Sequence, residues 1–158
     1  LIEAANAFLL PPYRLKVVAE CGGARFWNDS KATNFHATLG ALRSIDRPIV
    51  WIGGGRAKGG DIEAFALQVG TRIDIAILYG EVAERLAKAL KSSLEPVHIH
   101  KRLDHAITAA AELAAKIPQA NVLFSPGFAS YDQFDSFAAR GKSFNDTVLS
   151  LKNAHKPN

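Results

Sequence analysis

Between residues 28 and 36 the chain reads NDSKATNFH, which puts Asn28, Asp29, Ser30, Lys31, Thr33, Asn34 and His36 side by side. A helix start needs one such group, because Ser, Thr, Asp and Asn accept from the free N–H groups of a first turn. The plainer alternative to a binding role is that Asp29 and Ser30 serve as caps, with the helix itself read from Asn34 or Phe35. The remaining groups exceed that need: a carboxylate accepts hydroxyl groups from a ligand, and a lysine among neutral donors holds an anion. The chemistry implied is recognition of a small, polar, charged molecule.

Two further segments carry similar groups. GGGRAKGGD, residues 53 to 61, holds five glycines around Lys58. Glycine lets backbone approach a ligand closely, and the N-terminus of a following helix attracts anions. It is not a Walker loop, since Lys58 is followed by Gly59 and Gly60 instead of Ser or Thr, and GxGxxG fails because residue 58 is Lys. What it offers is a flexible loop aiming one ammonium group at a carboxylate or phosphate. SPGFASYDQF, residues 125 to 134, brings Ser125, Ser130 and Asp132 among small residues. Ser130 precedes Gln133 at capping-box spacing, and the G-x-S-x-G elbow of a hydrolase is absent. The five histidines lack metal-ligand spacing, so no metal site is expected.

These segments need a scaffold. Apolar runs at 15–20 and 24–28 flank Gly22 and Gly23, which reads as a β-hairpin. FHATLGALRSI has helical spacing. Beyond it PIVWIGG, IDIAILYG, EPVHIH and ANVLFSP alternate with DIEAFALQVGTR, EVAERLAKALKSS and RLDHAITAAAELAAKI. Strands alternating with helices imply a parallel sheet covered on both faces, whose strands are continuously apolar. The tail from Asp132 reads as a final helix, interrupted or bent near Gly141. The fold class expected is α/β: a single, Rossmann-like, doubly wound domain with a mostly parallel sheet and an antiparallel N-terminal hairpin. In such a sheet ligands collect beyond the carboxyl ends of the strands, where the three segments fall.

Composition narrows the remaining choices. With 158 residues, 48% hydrophobic and 22% charged, the chain suits one globular core. No apolar run approaches the roughly 18 residues of a membrane span. A formal charge of +4 comes from scattered Lys and Arg, which argues against nucleic acid as a partner. One cysteine, Cys21, fits a reducing, cytoplasmic setting. The chain contains no Met and has Glu3 where a signal peptide would have its basic region, so a fragment or processed chain without a signal peptide is expected. Residues 1–12 read as the end of an interdomain linker and residues 13–158 as the domain.

In order and spacing, NDSKATN, the GGxxK element of Gly54 to Lys58 and LFSPGFASYDQFDSFAARGKSF resemble the carboxyl-terminal, amino-acid-binding domain of the Mur ligases. Within the family the match is to the branch that joins D-glutamate to UDP-N-acetylmuramoyl-L-alanine in peptidoglycan synthesis. The DNPR-type element of the diaminopimelate-adding branch is absent. The resemblance implies an ATP-dependent ligase working through an acyl phosphate. It implies that Lys31, Thr33, Lys58, Ser130 and Phe137 hold D-glutamate, and that Arg14, Asn28, Asp29 and Lys31 lie at the ATP. The nucleotide and its Mg2+ would be held mainly by a central domain outside these residues, and the nucleotide-linked substrate by domains other than this one. This chain alone would then not turn over ATP, and would carry no catalytic residue. The sequence departs from the family pattern at Gly127-Phe128, where an Ala-Cys pair is common. Two other readings fit the same residues: a folylpolyglutamate synthetase-like ligase domain, and a non-catalytic Rossmann-type nucleotide-binding module.

Overall fold

Residues 11–156 are described by a computed structural model. The first ten residues, and with them most of the linker reading, lie outside the described residues. Strand β1 (Lys16–Cys21) and β2 (Ala24–Asn28) pair antiparallel through Gly22 and Gly23. Both turn glycines have positive φ, 59° and 82°, the mirror-image turn whose twist matches that of the strands. Then follow α1 (Phe35–Ser44), β3 (Ile49–Gly54), α2 (Ile62–Gly70), β4 (Ile75–Tyr79), α3 (Ala83–Leu90), β5 (Val97–His100), α4 (Leu103–Ala114), β6 (Asn121–Gly127) and α5 (Phe137–Ala154).

The six strands form one sheet in the order β1-β2-β6-β3-β4-β5, parallel everywhere except at the hairpin. From β3 the chain winds outward through β4 and β5, then returns to lay β6 on the other side of β3. That reversal is a topological switch point, and the carboxyl ends of β6 and β3 flank it. Helices cover both faces. Leu42 of α1, Phe65 of α2 and Leu86 of α3 pack over Trp51 and Leu78 on one side, while Ile107 of α4 and Phe144 of α5 pack over Ile52, Ile77 and Phe124 on the other. The runs VWI, IAIL and VLF are buried throughout because both faces are covered.

Three local expectations are corrected. The cap of α1 is Asn34, whose side chain accepts from the Ala37 amide at 2.9 Å, and not Asp29 or Ser30. Those two are buried because the chain turns inward at the end of β2 before the helix begins. Ser130 opens a short turn, its carbonyl accepting from Gln133 and Phe134. Helix α5 starts only after Ser136, whose hydroxyl caps Ala139. That helix also runs unbroken through Gly141. A side chain there would meet the ring of Tyr13 at 2.5 Å, so the glycine serves a close approach and not a bend.

Candidate functional site

The three polar segments meet beyond the switch point. Parallel pairing of β2 with β6 ends with the Asp29 amide donating to the Phe124 carbonyl at 2.7 Å. Directly after β3, Arg56 and Ala129 exchange backbone hydrogen bonds of 2.9 and 3.2 Å, which joins the glycine segment to the segment of Ser130. Further along, a Cβ on Gly60 would lie 2.7 Å from Phe35, so the exit of the glycine segment leans on the start of α1, just after Thr33 and Asn34. On the other flank the Ser30 hydroxyl donates to the Phe137 carbonyl at 2.7 Å, and Lys31 Nζ sits 5.4 Å from the centre of the Phe137 ring. Lys31, Thr33, Lys58, Ser130 and Phe137 are therefore carried by mutually bonded segments at one end of the sheet. Lys31 and Lys58 are exposed, Thr33 and Phe137 partly buried, and Ser130 is 2% exposed. Among the described residues neither lysine is in an ion pair, while Arg25, Arg47, Arg56, Arg85, Arg102 and Lys142 all are.

Beside this rim lies an open cleft of about 480 Å³ between Arg14, Asp29 and Lys31 on one wall and His36, Ala37 and Gly40 of α1 on the other. Asp29 is the buried carboxylate of the cleft: Oδ1 accepts from the Leu15 amide at 3.0 Å and Oδ2 from the Ser125 hydroxyl at 2.7 Å. Burial pushes its carboxyl up to about 6, against the opposing effects of those two hydrogen bonds and of the Arg14 charge.

Not every expected residue faces the cleft. Asn28 is 1% exposed, with its amide donating to the Gly141 carbonyl and Asn145 Oδ1 and its oxygen accepting from the Ser30 amide. It clamps β2 to α5 and borders a different groove, with Tyr13, Val17 and Leu149. The glycine segment is not flexible along its whole length either. Gly53 to Gly55 are buried, and at Gly55, with φ of 127°, a Cβ would lie 2.3 Å from the Ala129 carbonyl oxygen. Only Arg56 to Asp61 reach solvent. Phe128 does not fill the rim. It packs edge-on against Phe35 and Phe65 in the core, at 5.4 and 5.8 Å between ring centres.

Arg140 was not expected at all. Fully buried, its guanidinium donates from Nε to Ser30 Oγ at 3.1 Å, from Nη2 to the Ser30 carbonyl at 2.8 Å and from Nη1 to the Phe128 carbonyl at 3.0 Å. One side chain thus holds the first and third segments together. The signal in the sequence was a charge on an apolar stripe, since Arg140, Phe144 and Val148 recur at intervals of four on α5. Asp132 and Gln133 do comparable work. Asp132 Oδ2 accepts from the Glu81 amide after β4, and burial raises its carboxyl against that bond. Gln133 spans to the turn before α4, donating to the Lys101 carbonyl at 2.6 Å and accepting from the Leu103 amide at 3.2 Å. No three His, Cys, Asp or Glu side chains group as metal ligands among the described residues, and no described helix is long and apolar enough to cross a membrane.

Comparison with known proteins places this arrangement. UDP-N-acetylmuramoylalanine–D-glutamate ligase of Thermosynechococcus vestitus is 38% identical over 141 residues, covering 89% of this chain and 31% of the relative. The ligase of the same name from Latilactobacillus sakei is 39% identical over 149 residues, covering 94% and 32%. The chain thus spans about a third of the length of these relatives. A Mycobacterium tuberculosis folylpolyglutamate synthase complexed with ADP shares the fold, with a TM-score of 0.66 at 17% identity over 92% of this chain and 34% of that one. The family model "Mur ligase, glutamate ligase domain" matches residues 13–128, which run from Tyr13 beside Gly141 to Phe128 under the rim, and the chain belongs to the Mur ligase family.

Proposed function

We propose that this domain binds D-glutamate for an ATP-dependent ligase that extends UDP-N-acetylmuramoyl-L-alanine in the cytoplasm. The observation that carries this reading is that Lys31 and Lys58, neither of them in an ion pair among the described residues, sit on segments bonded to one another at the end of the sheet that bears the Asp29 cleft. A dicarboxylate needs two cations and neutral donors, which Lys31, Lys58, Thr33 and Ser130 supply, with Phe137 as a wall. Asp29 accepts ribose hydroxyl groups of ATP, with Arg14 and Lys31 alongside its anionic part; Asn28 acts from behind, by holding Ser30. ATP with Mg2+ activates the alanyl carboxylate as an acyl phosphate on another domain, and this domain presents the amine that attacks it. The relatives' names, at 38–39% identity, favour D-glutamate over other amino acids.

In the full-length ligase, Lys31→Ala and Lys58→Ala are each expected to raise the KM for D-glutamate roughly ten- to a hundredfold, the loss of one charge-assisted bond of about 1.5–3 kcal/mol. L-glutamate should compete poorly. Unchanged KM in both variants, or preference for L-glutamate, defeats the assignment. The 158-residue chain alone is expected to release no phosphate from ATP.

A further inference from the structure

Asp29 is served by a chain of buried hydroxyl groups that the proposed binding roles do not use. Ser125, on β6, is wholly buried, as is Thr38 on α1. Ser125 Oγ lies 2.7 Å from Asp29 Oδ2 and 3.2 Å from Thr38 Oγ1, and Thr38 Oγ1 is also 3.2 Å from the Ser125 carbonyl oxygen. Trp51 Nε1 donates to that carbonyl at 2.9 Å. A serine has one hydroxyl proton, and the nearby charged oxygen takes it; Thr38 then donates its own proton to Ser125, at Oγ or at the carbonyl. Strand β3 and helix α1 thereby hold the backbone of β6 at Ser125, and Thr38 lies behind its hydroxyl.

We propose that Ser125, backed by Thr38, is the positioning residue of Asp29, holding its carboxylate so that a pair of ligand hydroxyl groups can be received from the cleft. A carboxylate has about four acceptor positions. Leu15 and Ser125 occupy one on each oxygen, which leaves one on each for a vicinal diol. The inference rests on the reading of Asp29 as the ribose acceptor and assigns the support behind it.

The same bond keeps Asp29 ionised. Its carboxyl already stands at about 6 through burial, and the Ser125 hydrogen bond is the first of the influences lowering it. The other charged or titratable groups around the cleft are Arg14 before β1, Lys31 in the connecting segment and His36 on α1; β6 contributes only the neutral Ser125. Without the serine hydroxyl the carboxyl rises toward neutrality, and a protonated carboxyl offers one acceptor fewer.

Three variants of the full-length ligase test this: Ser125→Ala, Thr38→Val and Asp29→Asn, read as KM and kcat for ATP between pH 6 and 9. Ser125→Ala is expected to raise the KM about tenfold at pH 7 with kcat within twofold, and the defect should persist at pH 9, where Asp29 is ionised in both proteins, because what is lost is the orientation of the carboxylate. Thr38→Val should show the same pattern more weakly, with Thr38→Ser restoring the parent value. No KM defect in Ser125→Ala, or one that vanishes at pH 9, alongside a raised KM in Asp29→Asn overturns the positioning role and leaves the ribose reading standing. No effect of Asp29→Asn on KM removes the ribose reading itself. The carboxyl 13C titration of Asp29 then decides the support alone: a midpoint at least half a pH unit higher in Ser125→Ala, or in Thr38→Val should Ser125→Ala not fold, upholds it, and an unmoved midpoint ends it.

Discussion

Arg140 grips Ser30 twice, at the hydroxyl and at the carbonyl, from a position with none of its surface exposed. No carboxylate is paired with it among the described residues; backbone and hydroxyl oxygens take its protons. Removing it leaves the carbonyls of Ser30 and Phe128 buried without this donor, and each such orphan costs about 1–3 kcal/mol. Arg140→Ala should therefore destabilise the domain by at least about 2 kcal/mol, measured as a lower denaturation midpoint at unchanged slope. Arg140→Lys should recover little, because an ammonium lacks the planar fork that reaches Ser30 and Phe128 together. Full stability of the lysine variant would show that the charge, and not the geometry, is what the site needs.

The raised carboxyl of Asp29 makes a pH prediction with a definite sign. Between its ordinary value of 3.8 and about 6, the folded protein keeps a proton that the unfolded chain has released, so folding stability falls as pH rises through this window. At about 1.4 kcal/mol per pH unit the full effect is up to about 3 kcal/mol, complete by pH 7. Asp74 and Asp104, whose carboxyls are lowered, work in the opposite direction, so the comparison must be with Asp29→Asn at each pH. Urea denaturation from pH 3.5 to 7.5 should show wild type losing stability relative to Asp29→Asn between pH 4 and 6. A constant difference would place the ionisation elsewhere.

Gly55 and Gly59 lie in one segment but answer to different constraints. A Cβ on Gly55 collides with the Ala129 carbonyl, whereas one on Gly59 has nothing within 4 Å, and both have positive φ. Gly59→Ala carries only the backbone term, about 1 kcal/mol. Gly55→Ala adds displacement of the Arg56–Ala129 bridge and should cost at least about twice as much in thermal or chemical denaturation. Equal losses would mean that the bridge yields at no cost.

Gln133 closes the first turn of α4 with its side-chain oxygen. Gln133→Ala should cost about 1 kcal/mol and speed amide exchange at Leu103 specifically. Because the same residue anchors the turn bearing Ser130, D-glutamate KM should rise severalfold without a matching fall in kcat. Unchanged exchange at Leu103 would refute the anchoring.

The α/β architecture was legible because short continuous apolar runs such as VWI and VLF alternate with longer segments of helical period, the pattern of a parallel sheet buried on both faces. Gly22-Gly23 declared the hairpin for a similar reason: only residues that tolerate positive φ make so tight a turn. The polar segments after β2, β3 and β6 were legible as candidates from residue type and spacing. Their meeting was not, since strand order depends on how crossovers pack, and β6 returning between β2 and β3 is a property of the whole sheet. Caps at Asn34 and Ser136 displaced Asp29, Ser30 and Ser130 from the helix starts expected for them, because neighbouring chain buries those earlier residues. Arg140 on its apolar stripe and Ser125 in its polar segment left local signals, but their partners did not: contacts across 110 and 96 residues of sequence are chosen by packing.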